Sequence, residues 1–196
     1  MGAGERRGGG DKGTRKGEKR KGYNTPSPDS ATTGKRSKKG AQGSASVYHH
    51  VEVDQSIKVE QTHRHTVLAF SDGIQQVILI PAEVKRACQR ELRNKGVKPG
   101  MIALRMFAAG ILLLLEGQMD SIAGLTIDIE YEGKEGEIKG LLLRFILGWV
   151  PGFPKEAITF QQIGKKSGAH RLAWETHRGA RKPNRVVTVE ELLQYY

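Results

Sequence analysis

Alternating apolar and polar positions predict three β-strands in the first part of the ordered chain. The stretch VEVDQSIKVE (51–60) alternates with a period of two and has Asp54 on its polar face. HTVLAFSDG (65–73) and IQQVILIP (74–81) have the composition of a second and a third strand. The Asp-Gly pair that ends the second strand favours a tight turn. The three strands are therefore expected to form an antiparallel meander.

The period then changes from that of strands to that of helices. Pro81 precedes a first amphipathic helix, and a second helix is apolar nearly all round, so we expect it to be buried. Strands and helices alternate after that point. In chain order, the predicted elements are the second helix at about 101–116, a strand at 125–131, a helix at 134–146, a strand at 157–164, a helix at 167–179 and a short helix at 188–194.

This order of elements predicts an α/β fold with one mixed sheet. The fourth and fifth strands each follow a helix, so they are expected to join the sheet in parallel through right-handed crossovers. The prediction is a mixed five-stranded sheet flanked by helices. The single cysteine, Cys88, falls within a helix and is expected to be a buried thiol, because one cysteine supports neither a disulfide within the chain nor a thiolate metal cluster.

Charge divides the chain into two regions. Residues 1–46 contain 12 Lys and Arg against 4 Asp and Glu, together with 11 of the 25 glycines, and are expected to be a disordered basic tail. Residues 47–196 form the predicted α/β domain. A flexible basic arm suits the phosphate backbone of nucleic acids, although a purely solubilising extension has the same composition.

The apolar segments give no indication of a membrane or secretory destination. The basic start of the chain is not followed by the apolar core of a signal sequence. The longest apolar run is interrupted by Arg105 and falls short of the length that a membrane span needs. We therefore expect a cytoplasmic protein that does not associate with membranes.

Two strands far apart in the sequence end in acidic residues. Asp54 follows an apolar approach in the first strand, and Asp128 and Glu130 follow another in IDIEY. Taken singly, each acid is typical of the solvent-facing side of an ordinary strand. Taken together, the two strands with acidic residues suggest a functional site.

The element order and the positions of these acids resemble the ribonuclease H-like fold, which ribonucleases H, RuvC-type Holliday junction resolvases and transposases share. The resemblance covers roughly residues 50–180. In that fold one acid lies on the first strand, a second at the end of the fourth strand and a third on or before the last helix. The first two positions correspond to Asp54 and to Asp128 or Glu130. Since the first and fourth strands are neighbours in that fold, the resemblance implies that these acids meet.

The resemblance implies a nuclease that uses Mg²⁺ or Mn²⁺ in a two-metal-ion mechanism. The first candidate for the third ligand is Glu175, on the helix at 167–179. His170 on the same helix is an alternative ligand or a group that guides a proton. Lys165 or Lys166 is a candidate for orienting the scissile phosphate or the attacking water. A surface or structural role remains the alternative for each of these side chains.

A second function is compatible with the same sequence. The fold can serve as a non-catalytic module that binds DNA or RNA, with its acids merely exposed. The sequence leaves four substrates open for the nuclease: RNA, DNA, a hybrid or a junction. A branched substrate would favour a homodimer, because a twofold protein matches a twofold junction. Trp149 and Trp174 have rings that stack on bases, but packing in the core is their expected role.

Overall fold

The structure, a computed structural model, describes residues 48–196, and the predicted basic tail at 1–46 lies outside the described residues. It has a mixed α/β fold. Within residues 48–196 there are six strands, β1 (His49–Gln55), β2 (Thr66–Asp72), β3 (Ile74–Ile80), β4 (Ile122–Asp128), β5 (Ile158–Gln161) and β6 (Arg185–Val186). The same residues form five α-helices, α1 (Ala82–Asn94), α2 (Pro99–Leu115), α3 (Glu135–Trp149), α4 (Gly168–His177) and α5 (Val189–Leu193).

All six strands form one sheet in the order β5-β4-β1-β2-β3-β6. β1, β2 and β3 pair in antiparallel fashion, which confirms the predicted meander. β4 is parallel to β1, and β5 is parallel to β4, which confirms that the fourth and fifth strands join the sheet in parallel. The carboxyl ends of β1, β4 and β5 therefore lie at the same edge of the sheet.

The predicted count of five strands is wrong, because β6 adds a sixth strand beside β3. β6 has two residues and no alternation that a sequence pattern would reveal. Hydrogen bonds to β3 hold it in place. The amide and carbonyl of Val77 bond to the side-chain oxygen and the backbone N–H of Asn184, each at 2.8 Å, and the N–H of Val187 donates to Leu79.

The predicted first strand is too long, because β1 ends at Gln55 and residues 56–65 form a loop. The fully buried Lys85 of α1 holds this loop against the domain. Its Nζ donates to the carbonyl of Gln61 at 2.9 Å and to Oγ1 of Thr66 at 2.7 Å. The apolar residues of the loop continue the alternating pattern of β1, but they are not paired with β2.

Helices cover both faces of the sheet. The larger core lies on the face where α2 packs against β2 and β3, and α1, α3 and α5 pack around α2. Cys88 is buried in this core, as predicted. α4 lies on the opposite face, where Leu172 and Ala173 contact Val67 and Ala69 of β2. In the described part of the chain, every helix is too short or too polar to cross a membrane.

Candidate metal centre

The acids of the two strands meet because β1 and β4 are adjacent and parallel. Val53 and Ile127 are paired in the register of the two strands, and Asp54 and Asp128 are the next residues. Glu130 follows two positions after the end of β4. One carboxylate oxygen from each of Asp54, Asp128 and Glu130 lies within 4.8 Å of the other two. We refer to these three side chains as the carboxylate cluster.

Asp54 is the most buried member of the cluster, with 4% of its surface exposed. Its Oδ1 accepts the backbone N–H of Gln55 at 2.8 Å, and its Oδ2 lies 2.8 Å from Nδ1 of His170. Burial raises the pKa of Asp54, and the neighbouring charge of Asp128 raises it further. Its contact with His170 opposes this shift without cancelling it.

Asp128 is held in place by the segment that follows β5. Its Oδ1 accepts the backbone N–H of Ile163 at 2.6 Å. This bond runs from the end of one strand to the chain just beyond the neighbouring strand. It fixes one carboxylate oxygen of Asp128 and leaves the second for another partner.

Glu130 is positioned by Lys58 of the loop after β1. Nζ of Lys58 donates to the backbone carbonyl of Glu130 at 2.6 Å and lies 4.0 Å from its Oε2. Burial, followed by the charge of Asp128, raises the pKa of Glu130 to about 7, and Asp54 adds to the shift. The ammonium of Lys58 lowers the pKa of Glu130 but does not cancel the rise.

The chemistry of the carboxylate cluster suits a divalent cation with a preference for oxygen. It supplies three carboxylates on or beside rigid strands, which is the ligand type of Mg²⁺ and Mn²⁺. The raised pKa values of Asp54 and Glu130 have a common physical origin in burial and mutual repulsion. A bound cation would remove this repulsion, so the residues present fit such an ion.

The N-terminus of α4 is fixed to the sheet beside the cluster. Ser167 caps α4 by accepting the backbone N–H of Ala169, and its hydroxyl donates to Oε2 of Glu52 on β1 at 2.6 Å. Gly168 lets the helix approach β2, because a Cβ at this position would overlap Oγ of Ser71. These contacts bring His170, one turn further on, to Asp54.

The other predicted residues lie outside the carboxylate cluster. Lys165 lines a cavity together with His170, whereas Lys166 lines a separate cleft beside Ser167. Glu175 is on α4 but is not a member of the carboxylate cluster. At about 100° per residue it lies about 140° around the helix from His170. The structure therefore brings together Asp54, Asp128, Glu130 and His170, and it does not bring Glu175 to them.

Two features of the site were missed by the interpretation of the sequence. Lys58 falls within the predicted first strand at 51–60, and nothing in its local pattern indicated a contact with Glu130. Trp174 was expected in the core, but 47% of its surface is exposed. Its position four residues after His170, on the same helical face, was the available signal.

Comparison with known proteins adds no identification. No protein family, curated protein or solved structure gives a significant match to this chain.

Proposed function

We propose that this chain is a metal-dependent nuclease of the ribonuclease H-like type, which hydrolyses phosphodiester bonds in DNA or RNA. The observation that carries the proposal is the meeting of Asp54, Asp128 and Glu130, whose oxygens lie within 4.8 Å of one another. In support, β1 and β4 are neighbours in the sheet, as that fold requires. The acids stand on the first strand and at the end of the fourth.

Each residue of the site has a role in this proposal. Asp54, Asp128 and Glu130 would hold Mg²⁺ or Mn²⁺ through carboxylate oxygens. When bound, such ions make water a stronger nucleophile and offset charge on the transferring phosphoryl group. Carboxylates on rigid strands keep the spacing of the ligands better than residues on mobile loops would.

The residues of α4 and the turn before it act beside the metal ligands. Nδ1 of His170 contacts Asp54, which fixes the imidazole ring and leaves Nε2 for proton transfer. Lys165 is near enough to share a cavity with His170 and is suited to hold a phosphate oxygen.

The proposed reaction is hydrolysis of a phosphodiester. The oxygen of one water forms a bond to phosphorus while the bond to the leaving oxygen breaks. The leaving oxygen ends as a hydroxyl, and the phosphate becomes a monoester.

One observation favours the alternative of a non-catalytic nucleic-acid-binding module. Both oxygens of Asp54 already have hydrogen-bonding partners, namely the N–H of Gln55 and the ring of His170. A carboxylate in such contacts also fits a purely structural role. It keeps further lone pairs for a cation, however, because each carboxylate oxygen accepts about two bonds.

A cleavage assay separates the two functions. Labelled single strands, duplexes, hybrids and four-way junctions would be incubated with Mg²⁺, Mn²⁺ or EDTA. We expect the wild type to cut at least one substrate only with metal, and Asp54→Asn and Asp128→Asn to lose that activity. Glu175→Gln is the matched control, since it removes a carboxylate outside the cluster and should retain activity. Binding without cutting under all metal conditions would reject the nuclease in favour of the binding module.

A further inference from the structure

A cavity of about 400 Å³ lies between the carboxyl end of β1 and α4, next to the carboxylate cluster. Lys165, His170 and Trp174 line one side of it, and Gln55 and Ser56 line the other. Its volume is in the range of sites that hold a small organic group. His170 links the two regions, because the same side chain lines the cavity and contacts Asp54.

Trp174 gives the cavity an aromatic wall. The indole is 47% exposed, which makes it one of the most exposed large apolar side chains among residues 48–196. His177 stacks beside it with ring centroids 6.3 Å apart and an angle of 26° between the planes. An exposed tryptophan stacks readily on the face of a nucleobase, and this contact tolerates any base.

The surroundings of Trp174 carry positive charge. The guanidinium of Arg178 lies 5.8 Å from the centre of the indole, and Arg64 contacts His177 at 2.9 Å. Lys165 adds an ammonium group at the cavity itself. These cations complement the phosphates on either side of a nucleotide, whereas an apolar peptide would gain nothing from them.

We propose that this cavity binds one unpaired base of a nucleic-acid strand, stacked on Trp174, next to the phosphate at the carboxylate cluster. The inference rests on the proposed function, because it supplies the substrate class for the same site. In a continuous duplex the faces of a base are covered by its neighbours in the stack. The substrate is therefore a single strand, a loop or a branch point with an exposed base.

The test compares binding to oligonucleotides with and without bases. Fluorescence anisotropy would measure the affinity of the full-length protein for a labelled single strand, for the same strand with abasic positions and for its duplex. Ca²⁺ would replace Mg²⁺, because it accepts the same oxygen ligands. Trp174→Ala is expected to weaken binding of the intact strand by roughly tenfold, since stacking on an aromatic ring has an effect of that order. Binding of the abasic strand and of the duplex should hardly change.

Two further variants make the result decisive. Trp174→Phe keeps an aromatic ring and should retain most of the affinity, and Trp149→Phe alters the other tryptophan and should have no effect. Equal affinities of wild type and Trp174→Ala for the intact strand would overturn the inference. So would an equal loss for the intact and abasic strands, or no binding of any oligonucleotide.

Cleavage with Mg²⁺, measured on the same samples, separates this inference from the proposed function. Base-dependent binding through Trp174 without any metal-dependent cutting would reject the nuclease and support the base site. Metal-dependent cutting with no dependence on Trp174 would reject the base site and leave the nuclease intact.

Discussion

At the scale of single residues, the repulsion between three neighbouring carboxylates is unfavourable. Asp54 and Glu130 both have raised pKa values, caused first by burial and then by the charge of Asp128. A structural carboxylate is usually paired with a lysine or arginine at short distance, whereas Lys58 lies 4.0 Å from the carboxylate of Glu130. Such an arrangement is typical of a functional site, where a ligand supplies the missing positive charge.

Lys85 gives a prediction about pH and stability. Burial lowers the pKa of this lysine from 10.5 to about 8, so between these values the unfolded chain binds a proton that the folded protein does not. The free energy of unfolding should therefore rise with pH across this window. The maximum slope for one group is about 1.4 kcal/mol per pH unit. The neutral amine keeps two N–H donors for Gln61 and Thr66.

Urea unfolding of the wild type and of Lys85→Met, at a series of pH values from 7 to 11, measures this effect. The difference in stability between the two proteins should grow in favour of the wild type above pH 8. Other titrating groups are common to both proteins and cancel in the difference. A difference that is independent of pH would show that Lys85 stays charged in the folded state.

Residues that depend on tertiary contacts were the hardest to predict. The burial of Lys85 arises from backbone carbonyls of a loop more than 20 positions away in the chain, and no local pattern encodes it. Glu175 was a reasonable third acid by element order alone, but helical geometry turns it away from His170. In contrast, Asp54 and Asp128 were predictable because each follows an apolar approach near the end of its strand. The resemblance to the ribonuclease H-like fold then implied that the two strands are neighbours.

At the level of elements, α4 determines how the site is completed. It is the helix that packs on β1 and β2 from the face of Asp54, and Ser167 connects its first turn to Glu52. Because His170 lies one turn from this anchor, its contact with Asp54 depends on the position of the whole helix.

Ser167→Ala tests this dependence. It removes the N-cap of α4 and the contact with Glu52, and should lower the free energy of unfolding by about 1 kcal/mol. Metal-dependent cleavage should slow several-fold because His170 is no longer held over Asp54. Thr188→Ala removes the N-cap of α5, away from the site, and is the control: a similar loss of stability with unchanged cleavage. Equal cleavage rates for both variants would show that the position of α4 does not affect cleavage.

The elements were predicted well where the period of the apolar positions agrees with the pairing of the strands. The hairpin of β2 and β3 and the parallel placement of β4 and β5 follow from turn residues and intervening helices. β1 was overextended because Ile57 and Val59 continue the alternation into a loop, where Val59 is still buried. β6 was missed because it has only two residues, which are too few to show an alternating pattern.

The whole molecule has an uneven distribution of charge. Residues 1–46 hold 12 of the 32 Lys and Arg, while the acids of the carboxylate cluster lie in the domain. Each lysine or arginine that contacts a phosphate releases counterions, so binding should weaken as salt increases. The basic segment would then provide affinity, and the domain would provide chemistry and selection of substrate.

Deletion of residues 1–46 tests this division of roles. The shortened protein should bind oligonucleotides more weakly and with a smaller slope of log affinity against log salt concentration. The midpoint of its thermal unfolding should stay close to that of the full chain. Filter binding at several salt concentrations measures the slope. An unchanged slope would show that the basic segment does not contribute phosphate contacts to binding.

Calorimetric titration with Mn²⁺ tests most directly whether the carboxylate cluster binds metal. The wild type, Asp128→Asn and Glu175→Gln would be compared. Asparagine keeps the oxygen that accepts the N–H of Ile163, so the fold around it should be retained. Loss of a direct ligand should weaken Mn²⁺ binding at least about tenfold, since even supporting residues of metal sites have effects of that size. Glu175→Gln should bind as the wild type does. Equal binding by the wild type and Asp128→Asn, or a loss in Glu175→Gln alone, would contradict a metal centre formed by Asp54, Asp128 and Glu130.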